Sequence, residues 1–449
     1  MTVLRIRPDR PWRVGLAAAF LCVGVSFASL AGAAVGPSAS ETAQARALRT
    51  LTANGFTGAA AVCTARMGHS TTCRWTGVRR TACSGTLKVS QRSRRGRFVT
   101  ITRTACRGIA FGFNAFVSAA NVALQRTTGA KVIRMLAPWY TAEPYPGGWS
   151  WTEIDRQYRL AIDGGLRPLL VAIGSPCWAR GSAACVPAVT GPPDHAHDAQ
   201  WREYTRRLAE RYPEAAGIEI WNEPNLSVTF TPKADPERFA QLLALAHDGI
   251  KQAAPSMPVI SGGVLAAGLD GENAAGFGDV TFLRRMLAAG AARSVDAIGV
   301  HPYPSHPRAD GSVGPWNPLV AGTTLDALRG VAVASGAGGT PFWITETGES
   351  TASQNGQPAA VAPARQASDL VQILRTLSTR SDVDGIVIHT LIDAPPNPVL
   401  TGVDNVIQPV VGAVFFAGVN SGFGIFDAAE RPKPAACAVS RELGGTLTC

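Results

Sequence analysis

Two glutamates end strongly apolar segments of the sequence, and their side chains suit acid–base and nucleophilic chemistry. Glu223 follows Asn222 at the end of the run Gly217–Trp221, and Glu346 follows the run Phe342–Thr345. Two carboxyl groups that face each other can act on one bond as proton donor and nucleophile. A separation of about 5–5.5 Å supports double displacement through a covalent intermediate, whereas about 6.5–9.5 Å supports direct displacement by water.

The segments that must position these carboxyl groups alternate between strand-like and helical patterns. Short apolar runs follow Arg107, and helical periodicity fills most gaps between them, which is typical of a parallel α/β fold. About 330 residues with eight strand–helix units favour a (β/α)8 TIM barrel, in which reactive side chains lie at the carboxyl ends of the strands. The competing doubly wound sheet lacks its glycine-rich phosphate loop here. The predicted strands are Ile109–Phe113, Val132–Leu136, Pro168–Ile173, Gly217–Trp221, Pro258–Gly262, Ala297–Val300, Phe342–Thr345 and Gly385–His389.

Further motifs around the two glutamates give the sequence a family resemblance. Segments 221–225 (WNEPN) and 343–348 (WITETG) resemble the acid/base and nucleophile strands of clan A glycoside hydrolases. The segment 301–303 (HPY) ends the sixth predicted strand as the H-x-Y motif of these enzymes does, and Arg134 lies in the second strand, where the clan carries an arginine. The segment 174–179 is similar to family 39-like members, and family 5 (cellulase)-like enzymes are the other candidates. The resemblance implies a retaining O-glycosyl hydrolase with a TIM barrel.

The resemblance also implies a role for each matching residue. A working acid needs a raised pKa near neutral pH, whereas the nucleophile must stay ionised, which a neighbouring cation and hydroxyl favour. A structural ion pair is the alternative role of Arg134, and ordinary packing is the alternative for the histidine and tyrosine. The implied roles are acid/base for Glu223, nucleophile for Glu346, support of that carboxylate for Arg134 and Tyr303, binding of the sugar 2-hydroxyl for Asn222, and orientation of a sugar hydroxyl or a carboxyl group for His301.

The eighth predicted strand departs from the clan pattern. Clan members commonly end this strand with a tryptophan that forms the floor of the sugar subsite, whereas this strand ends in His389. The sugar therefore stays open: family 39 implies xylosidase-type or exopolysaccharide-cleaving activity, and family 5 implies a β-glucanase or β-mannanase. Glu349, after Gly348, is expected to be solvated. Stacking on sugar, beside ordinary packing, is considered for five tryptophans: Trp139, Trp149, Trp151, Trp178 and Trp316.

The amino-terminal segment has the pattern of a secretory signal. Arginines between residues 5 and 13 precede an uncharged stretch from Val14 to Val35, and residues 31–33 (AGA) fit a signal-peptidase site. We therefore expect residues 1–33 to be a signal peptide and the mature protein to be secreted, with association to the cell envelope as an option. An uncleaved membrane anchor is the alternative, because the apolar stretch is long enough to span a bilayer.

Cysteine usage agrees with export. The chain has 9 cysteines, and removal of Cys22 with the signal leaves an even number in local groups. An even count at short spacings outside the cytosol predicts disulfide bonds. We expect two local pairs and a group of four with three open connectivities: Cys177 with Cys185, Cys437 with Cys449, and Cys63, Cys73, Cys83 and Cys106.

Residues 34–107 differ in charge from the rest of the chain. They contain 13 lysines and arginines against a single acidic residue, Glu41. Helical spacing over residues 41–54, short strand-like runs and four cysteines predict a small disulfide-bonded α+β accessory module with a thin core. Its positive charge indicates either a solvated surface or a site for an anionic cell-wall polymer, whereas no nucleic-acid-binding motif is present.

The remaining residues, 108–449, are expected to form the catalytic domain. The function expected from the resemblance is hydrolysis of a poly- or oligosaccharide with retention, and carbohydrate is the expected partner. The alternatives are a transglycosylase acting on cell-envelope glycan and a non-catalytic carbohydrate-binding barrel. No cofactor and no metal are expected, and stable membrane insertion is expected only if the signal stays uncleaved.

Overall fold

The computed structural model describes residues 108–181, 191–266, 271–303, 318–352, 361–393 and 422–449, together with helical and strand residues between 44 and 106. The predicted signal peptide, Cys185 and Trp316 lie outside the described residues. Among the helices that the structure describes, none combines the length and the apolar character needed to cross a membrane.

Residues 57–106 form a four-stranded antiparallel meander of β1 (Thr57–Cys63), β2 (Ser70–Arg79), β3 (Thr81–Arg92) and β4 (Gly96–Cys106). Residues 44–45, 47–49 and 51, before the sheet, are helical. A disulfide bond joins Cys63 and Cys73 across β1 and β2. It removes two of the three open connectivities and leaves Cys83 and Cys106, which the strand register places opposite each other. The small disulfide-bonded α+β unit predicted from the sequence is therefore confirmed.

The second sheet is a parallel barrel. Its strands are β5 (Ala110–Asn114), β6 (Val132–Pro138), β7 (Arg167–Ile173), β8 (Gly217–Ile220), β9 (Val259–Ser261), β10 (Val264–Leu265), β13 (Ile298–His301), β14 (Phe342–Thr347) and β15 (Val383–Ile388). They are paired in the order β10-β13-β14-β15-β5-β6-β7-β8-β9. The two ends of this order, β9 and β10, are consecutive halves of one interrupted strand, so the sheet closes on itself as a (β/α)8 TIM barrel.

Each predicted barrel strand is observed, because runs buried on both faces are apolar almost throughout. In β7, six successive residues after Arg167 are buried. A short hairpin of β11 (Glu272–Asn273) and β12 (Gly276–Phe277) lies between the fifth and sixth barrel strands. The carboxyl ends of the parallel strands meet at one face, which is where the predicted site residues lie.

Helices alternate with the barrel strands, and two of the described α-helices begin at a side-chain cap. The Ser118 side chain accepts a hydrogen bond from the Asn121 backbone N–H, and Asp235 caps the helix whose first residue is Pro236. A disulfide bond joins Cys437 to Cys449 as predicted, and Cys177 is also disulfide-bonded. The helices are α1 (Ala119–Thr127), α2 (Trp139–Ala142), α3 (Thr152–Asp163), α4 (Asp198–Arg211), α5 (Pro236–Ala253), α6 (Asp279–Ala288), α7 (Pro318–Ala334), α8 (Pro363–Ser378) and α9 (Pro434–Leu443).

Candidate active site

The carboxylate of Glu346 lies at the carboxyl end of β14 and is held by two donors. Arg134 Nη1, from β6, donates to Glu346 Oε1 over 2.6 Å. The hydroxyl of Tyr303 donates to the other oxygen, Oε2, over 2.9 Å. Both oxygens therefore accept a hydrogen bond, and one of them faces a full positive charge. In the sequence, Arg134 lies within one predicted strand, whereas Tyr303 and Glu346 follow the ends of two others, and the barrel brings Arg134 and Tyr303 into contact with Glu346.

Electrostatics keep Glu346 ionised. Burial by itself raises the pKa of the Glu346 carboxyl, but the positive charges of His301 and Arg134 and the Tyr303 hydrogen bond outweigh burial and lower it well below 4.5. Burial and the neighbouring Glu346 charge raise the pKa of the Tyr303 hydroxyl well above 10. Tyr303 therefore stays a proton donor while Glu346 stays an anion.

Arg134 is fixed by a second carboxylate that the sequence analysis missed. Glu219 is fully buried in β8 and accepts from Arg134 Nε at 2.6 Å and from Nη2 at 3.2 Å. Glu219 Oε1 also accepts from the Gly263 backbone N–H. A charged residue inside an apolar strand needs a buried partner of opposite charge. The position of Glu219 within the apolar run of β8 was therefore a signal that could have identified it from the sequence. The fork-like pairing orients the guanidinium so that Nη1 reaches Glu346.

Glu223 stands on a strained turn after β8. Trp221 has φ 72° and Glu223 has φ 46°, both in the left-handed region that non-glycine residues seldom adopt. Asn225 holds this turn, because its fully buried side-chain amide exchanges hydrogen bonds with the Leu265 backbone and donates to Phe277 O. The turn therefore projects Glu223 from the strand end at the expense of backbone strain.

The imidazole of His301 is the hydrogen-bonding neighbour of Glu223, and its Nδ1 also lies 3.8 Å from Glu346 Oε2. Glu223 Oε1 lies 3.0 Å from His301 Nδ1, and His301 Nε2 lies 3.1 Å from Thr345 Oγ1. Burial lowers the pKa of His301, but the negative charges of Glu346 and Glu223 outweigh burial and raise it above 6.5. A Cβ at Gly263 would lie 2.2 Å from His301 Nε2, so the absence of a side chain there makes room for the imidazole. His301 and Glu223 can therefore share a proton.

The two carboxyl groups face each other across the barrel mouth. Glu223, His301 and Glu346 each offer one ligand-type atom, and these three atoms lie within 4.8 Å of one another. Such a cluster has the composition of a metal site, but the Arg134 guanidinium already places a positive charge 2.6 Å from Glu346. The arrangement is better suited to proton transfer and to attack by a carboxylate than to cation binding.

Asn222 lies beside Arg134 rather than against either glutamate. Its Oδ1 accepts from Arg134 Nη2 over 2.8 Å. Because Arg134 can only donate, the amide oxygen must face it, and the side-chain NH₂ faces away from the guanidinium. Asn222 thus carries a donor at the barrel mouth next to the carboxylate pair.

His389, at the end of β15, stands beside Glu346. Its Nδ1 lies 3.9 Å from Glu346 Oε2 and 3.1 Å from Asn114 Nδ2. Its ring is in edge contact with Tyr303 and Phe423, with centroids 6.4 and 5.3 Å apart respectively. Sequence analysis did not single out Asn114, although a polar residue that ends the first predicted strand was a usable signal.

The tryptophans are mostly explained by packing. Trp178 is half-buried, donates to Glu143 O over 3.2 Å and makes edge contacts with Trp139 and His197. Among the described contacts, none joins Trp178 to the carboxylate pair, so its role in sugar binding stays a prediction. Trp139 is fully buried, and Trp149 stacks on Trp151.

The expectation that Glu349 is solvated is wrong. Its side chain is only 8% exposed. Gln366, from α8, donates to Glu349 O and to Gly422 O, so the segment that begins at residue 422 packs over this strand end. Burial raises the pKa of the Glu349 carboxyl to about 8. This cover could not be read from the sequence, because Gln366 follows Glu349 by 17 residues and the segment from residue 422 by more than 70.

Comparison with protein-family models and with curated sequences finds no match. Solved structures do match. A family 39 glycoside hydrolase from the gut symbiont Bacteroides cellulosilyticus shares 17% identity over 87% of this chain and 80% of its own, with a TM-score of 0.56. A GH5_18 protein from Streptomyces cattleya, in complex with GlcNAc, shares 17% over 76% and 80%, with a TM-score of 0.55. The exo-β-1,4-mannosidase Op5Man5 from an Opitutaceae bacterium shares 18% over 75% and 59%, with a TM-score of 0.54. The described chain therefore shares the barrel fold of these solved proteins, which include a family 39 glycoside hydrolase and a GH5_18 protein.

Proposed function

We propose that the protein is a secreted glycoside hydrolase that cleaves an O-glycosidic bond with retention, with Glu346 as nucleophile and Glu223 as acid/base. The observation that carries the proposal is a pair of carboxylate oxygens, one from each glutamate, that lie within 4.8 Å of each other and have different hydrogen-bond partners. A gap this short agrees with the about 5–5.5 Å of double displacement better than with the about 6.5–9.5 Å of an inverting site.

The mechanism follows from the two environments. The ionised Glu346 attacks the anomeric carbon and forms a glycosyl ester, while Glu223 gives its proton to the departing oxygen. In the second step Glu223 removes a proton from water, the water oxygen bonds to the anomeric carbon, and the Glu346 carboxylate leaves. His301 Nδ1 lies 3.0 Å from Glu223 Oε1 and can hydrogen-bond to the Glu223 carboxyl group as that group loses and regains its proton.

The surrounding residues support charge and orientation. Arg134 and Tyr303 hold Glu346 as an anion between turnovers. When the neutral ester forms, the charge pairing with Arg134 is lost, and the ester carbonyl oxygen remains as a hydrogen-bond acceptor. Asn222 offers its NH₂ group to the sugar 2-hydroxyl, a contact that strengthens in the transition state. Trp178 remains a candidate for stacking on a sugar further from the bond that is cleaved.

The test is sugar release by the purified mature chain from a panel of glycosides. The panel includes β-mannosides and N-acetylglucosamine conjugates, because solved neighbours carry those sugars in their names, and also β-xylosides, β-glucosides and bacterial exopolysaccharides. Glu346→Gln and Glu223→Gln are compared with Glu214→Gln, a matched change of an exposed glutamate before the same strand, β8. Release that vanishes in the first two variants and persists in the third supports the proposal. Release that survives Glu346→Gln contradicts the assigned nucleophile.

Two rivals keep the barrel but change its use. A transglycosylase would pass the sugar from Glu346 to an acceptor hydroxyl and give longer products as acceptor concentration rises. A non-catalytic binding barrel would retain glycans on an affinity column without turnover of any substrate. Both carboxyl groups and the charge that ionises Glu346 are present, which favours turnover.

We also propose that residues 34–107 are a separate accessory module and that residues 108–449 are the catalytic domain. The excess of positive charge in the first segment favours an anionic wall polymer as its ligand. Binding to purified cell walls is compared between residues 34–449 and residues 108–449 at rising salt concentration. Equal binding by both forms would remove this part of the proposal.

A further inference from the structure

The four-stranded sheet formed by β1 to β4 has two faces that differ in exposure. Successive residues of a strand lie on opposite faces, whereas residues paired across neighbouring strands share a face. Thr71 and Cys73 in β2 and Val89 in β3 belong to one face by this alternation, and none of them is more than 7% exposed. On the other face Val62 in β1 is 69% exposed, and Thr72 in β2 is also exposed. The sheet therefore has a packed face and an open face.

The register of the strands places three cationic residues on the open face. Arg74 in β2 is paired with the exposed Val62. Lys88 in β3 is paired with the exposed Thr72. Arg103 in β4 lies two strands from Arg74 in the same cross-strand row. All three cationic residues therefore share a face with residues that are open to solvent.

The backbone positions of these cations are spread over the face. Neighbouring strands are about 4.8 Å apart, and residues two apart in one strand are separated by about 6.8 Å. Arg74 and Arg103 are therefore about 10 Å apart at the backbone, and Lys88 is about 8 Å from each of them. Arg92, four residues after Lys88 in β3, extends the same face by about 14 Å. This spread suits a chain-like ligand with repeated charges better than one small anion.

The composition of the sheet leaves this positive charge uncompensated. Residues 57–106 contain no aspartate and no glutamate. A surface of one sign attracts ligands of the opposite sign, and hydroxyl side chains can both donate hydrogen bonds to sugar hydroxyl groups and accept them. The hydroxyl residues that the register places on the open face are Ser70, Thr72, Thr76, Ser84, Thr86, Ser90 and Thr100.

The open face suits a glycan better than a single-stranded nucleic acid. Proteins that bind single strands without sequence preference stack successive bases on aromatic side chains. Residues 57–106 include two aromatic residues, Trp75 and Phe98. Trp75 is paired with Ala61, which is 4% exposed, so Trp75 belongs to the packed face. Phe98 is then the one aromatic residue of residues 57–106 on the open face, which is too few for a row of stacked bases.

We propose that the open face of β2, β3 and β4 docks the protein to a linear polysaccharide that carries carboxylate or phosphate groups. The cationic residues of this face are Arg74, Lys88, Arg92 and Arg103. Arginine presents a fork of donors that pairs with either anion, so the ligand is defined by an oxyanion repeated along a sugar chain. The inference rests on the accessory role proposed for residues 34–107, and it names the surface and the ligand class of that role.

Two double variants with the same change of charge test the surface in the full mature chain. Arg74→Gln with Arg103→Gln removes two cations from the open face. Arg79→Gln with Arg97→Gln removes two cations from positions that the alternation assigns to the other face. Affinity electrophoresis at several salt concentrations measures binding to polygalacturonate, which carries carboxylates, to a phosphomannan, which carries phosphates, and to neutral dextran.

We expect the open-face double variant to raise Kd for an anionic polysaccharide about 10–30-fold at low salt. The affinity of this variant should also fall less steeply with salt, because fewer counterions are exchanged on binding. The control double variant should retain most of the affinity. Where a double variant fails to fold, Lys88→Gln and Arg97→Gln replace the two as single variants with matched charge.

An equal loss of affinity in both double variants would mean that net charge alone drives binding, and it overturns the proposal. Tighter binding to an oligothymidine strand than to either anionic polysaccharide also overturns it, as does binding to neither polysaccharide. The accessory role fails separately, if removal of residues 34–107 leaves binding to purified cell walls unchanged.

Discussion

The two carboxyl groups at the barrel mouth differ in what holds them. Glu346 lies near the end of β14 and accepts from Arg134 at 2.6 Å and from Tyr303 at 2.9 Å. Glu223 stands on a turn with a left-handed backbone and has His301 as its polar neighbour at 3.0 Å. The contacts of Glu346 stabilise a permanent anion, whereas Glu223 lies beside an imidazole that can itself gain or lose a proton. Identical side chains thus stand in different surroundings, which is what the different roles proposed for them require.

The difference arises from buried charges that lie far apart in sequence. Arg134 pairs with the buried Glu219 and also donates to Glu346, so Glu219 fixes the position of the guanidinium that stabilises the Glu346 carboxylate. Among its described contacts Glu223 has no arginine or lysine, and its charged neighbour is the titratable His301. We therefore expect the two glutamates to respond differently to the same substitution.

Removal of the nucleophile should have the largest effect. Glu346→Ala is expected to lower kcat by at least about 10⁴-fold on every substrate, because no covalent intermediate forms. Azide added to this variant should enter from the vacated face and give a glycosyl azide of inverted configuration, which is identified by nuclear magnetic resonance. An azide product of retained configuration would exchange the two roles.

Removal of the acid/base should give a loss that depends on the leaving group. Glu223→Ala is expected to slow substrates with poor leaving groups by about 10²–10⁴-fold, the usual contribution of general acid catalysis. Aryl glycosides that need no protonation should be affected much less in the first step, and azide should give a product of retained configuration. The measurement is a plot of rate against leaving-group pKa, and a flat plot would contradict the role of Glu223.

Removal of the cation should weaken both the nucleophile and the fold. Arg134→Met is expected to lower kcat/KM by about 10²–10³-fold, as for loss of one electrostatic support. It should also lower the free energy of unfolding by about 3–5 kcal/mol, because Glu219 remains as an unpaired buried charge. Adding Glu219→Gln should restore stability but not activity. Recovery of both stability and activity would show that Arg134 has no role beyond its ion pair with Glu219.

Loss of the tyrosine hydroxyl should shift the pH profile. Tyr303→Phe removes a hydrogen bond that lowers the pKa of Glu346, so that pKa should rise. Because Glu346 works as an anion, activity should then be lost at a higher pH on acidification than in the unaltered chain, with a fall of kcat/KM of about 10-fold at neutral pH. The pH dependence of kcat/KM checks this, and an unchanged acidic limb contradicts it.

A third carboxyl group, Glu349, extends the comparison to an acid without a described ion pair and without a proposed catalytic role. Its Oε2 is buried with no hydrogen-bond partner among the described residues. Burial raises its pKa from 4.5 to about 8, so stability should fall as pH rises through that window, because the unfolded chain releases the proton that the folded chain keeps.

Glu349→Gln should therefore gain stability over the unaltered chain as pH rises from 4.5 to 8, by about 1–3 kcal/mol at the upper end. Thermal unfolding at several pH values measures the difference, with the exposed-site variant Glu214→Gln as control. A difference that does not grow with pH would contradict the assigned burial.

The sequence predicts the barrel strands and the two candidate carboxyl groups because their signals are local. Each strand is an apolar run, and Glu223 and Glu346 are polar residues where such runs end. Partnerships are not local. Arg134 and Glu219 are 85 positions apart, and Asn114 and His389 are 275 apart, so only the closed barrel brings them together.

Burial of single polar residues was also beyond the sequence. Glu349 follows a glycine and reads as a loop residue, yet Gln366 and the chain from residue 422 cover it. Asn225 reads as the end of a motif, yet its amide holds the turn that carries Glu223. For Glu349 the cover by the chain from residue 422, and for Asn225 the contacts with Leu265 and Phe277, come from outside the residue's own strand–helix unit.

The covalent intermediate on Glu346 is the central claim, and trapping it is the most direct test. A 2-deoxy-2-fluoro glycoside with an activated leaving group, made from the best sugar of the panel, slows release of the enzyme-bound sugar so that the ester accumulates. Intact mass spectrometry and peptide mapping should show one added glycosyl group, carried by the peptide that contains Glu346 and absent from Glu346→Gln. A label on any other residue, or steady turnover with an inverted product and no label, would contradict the account.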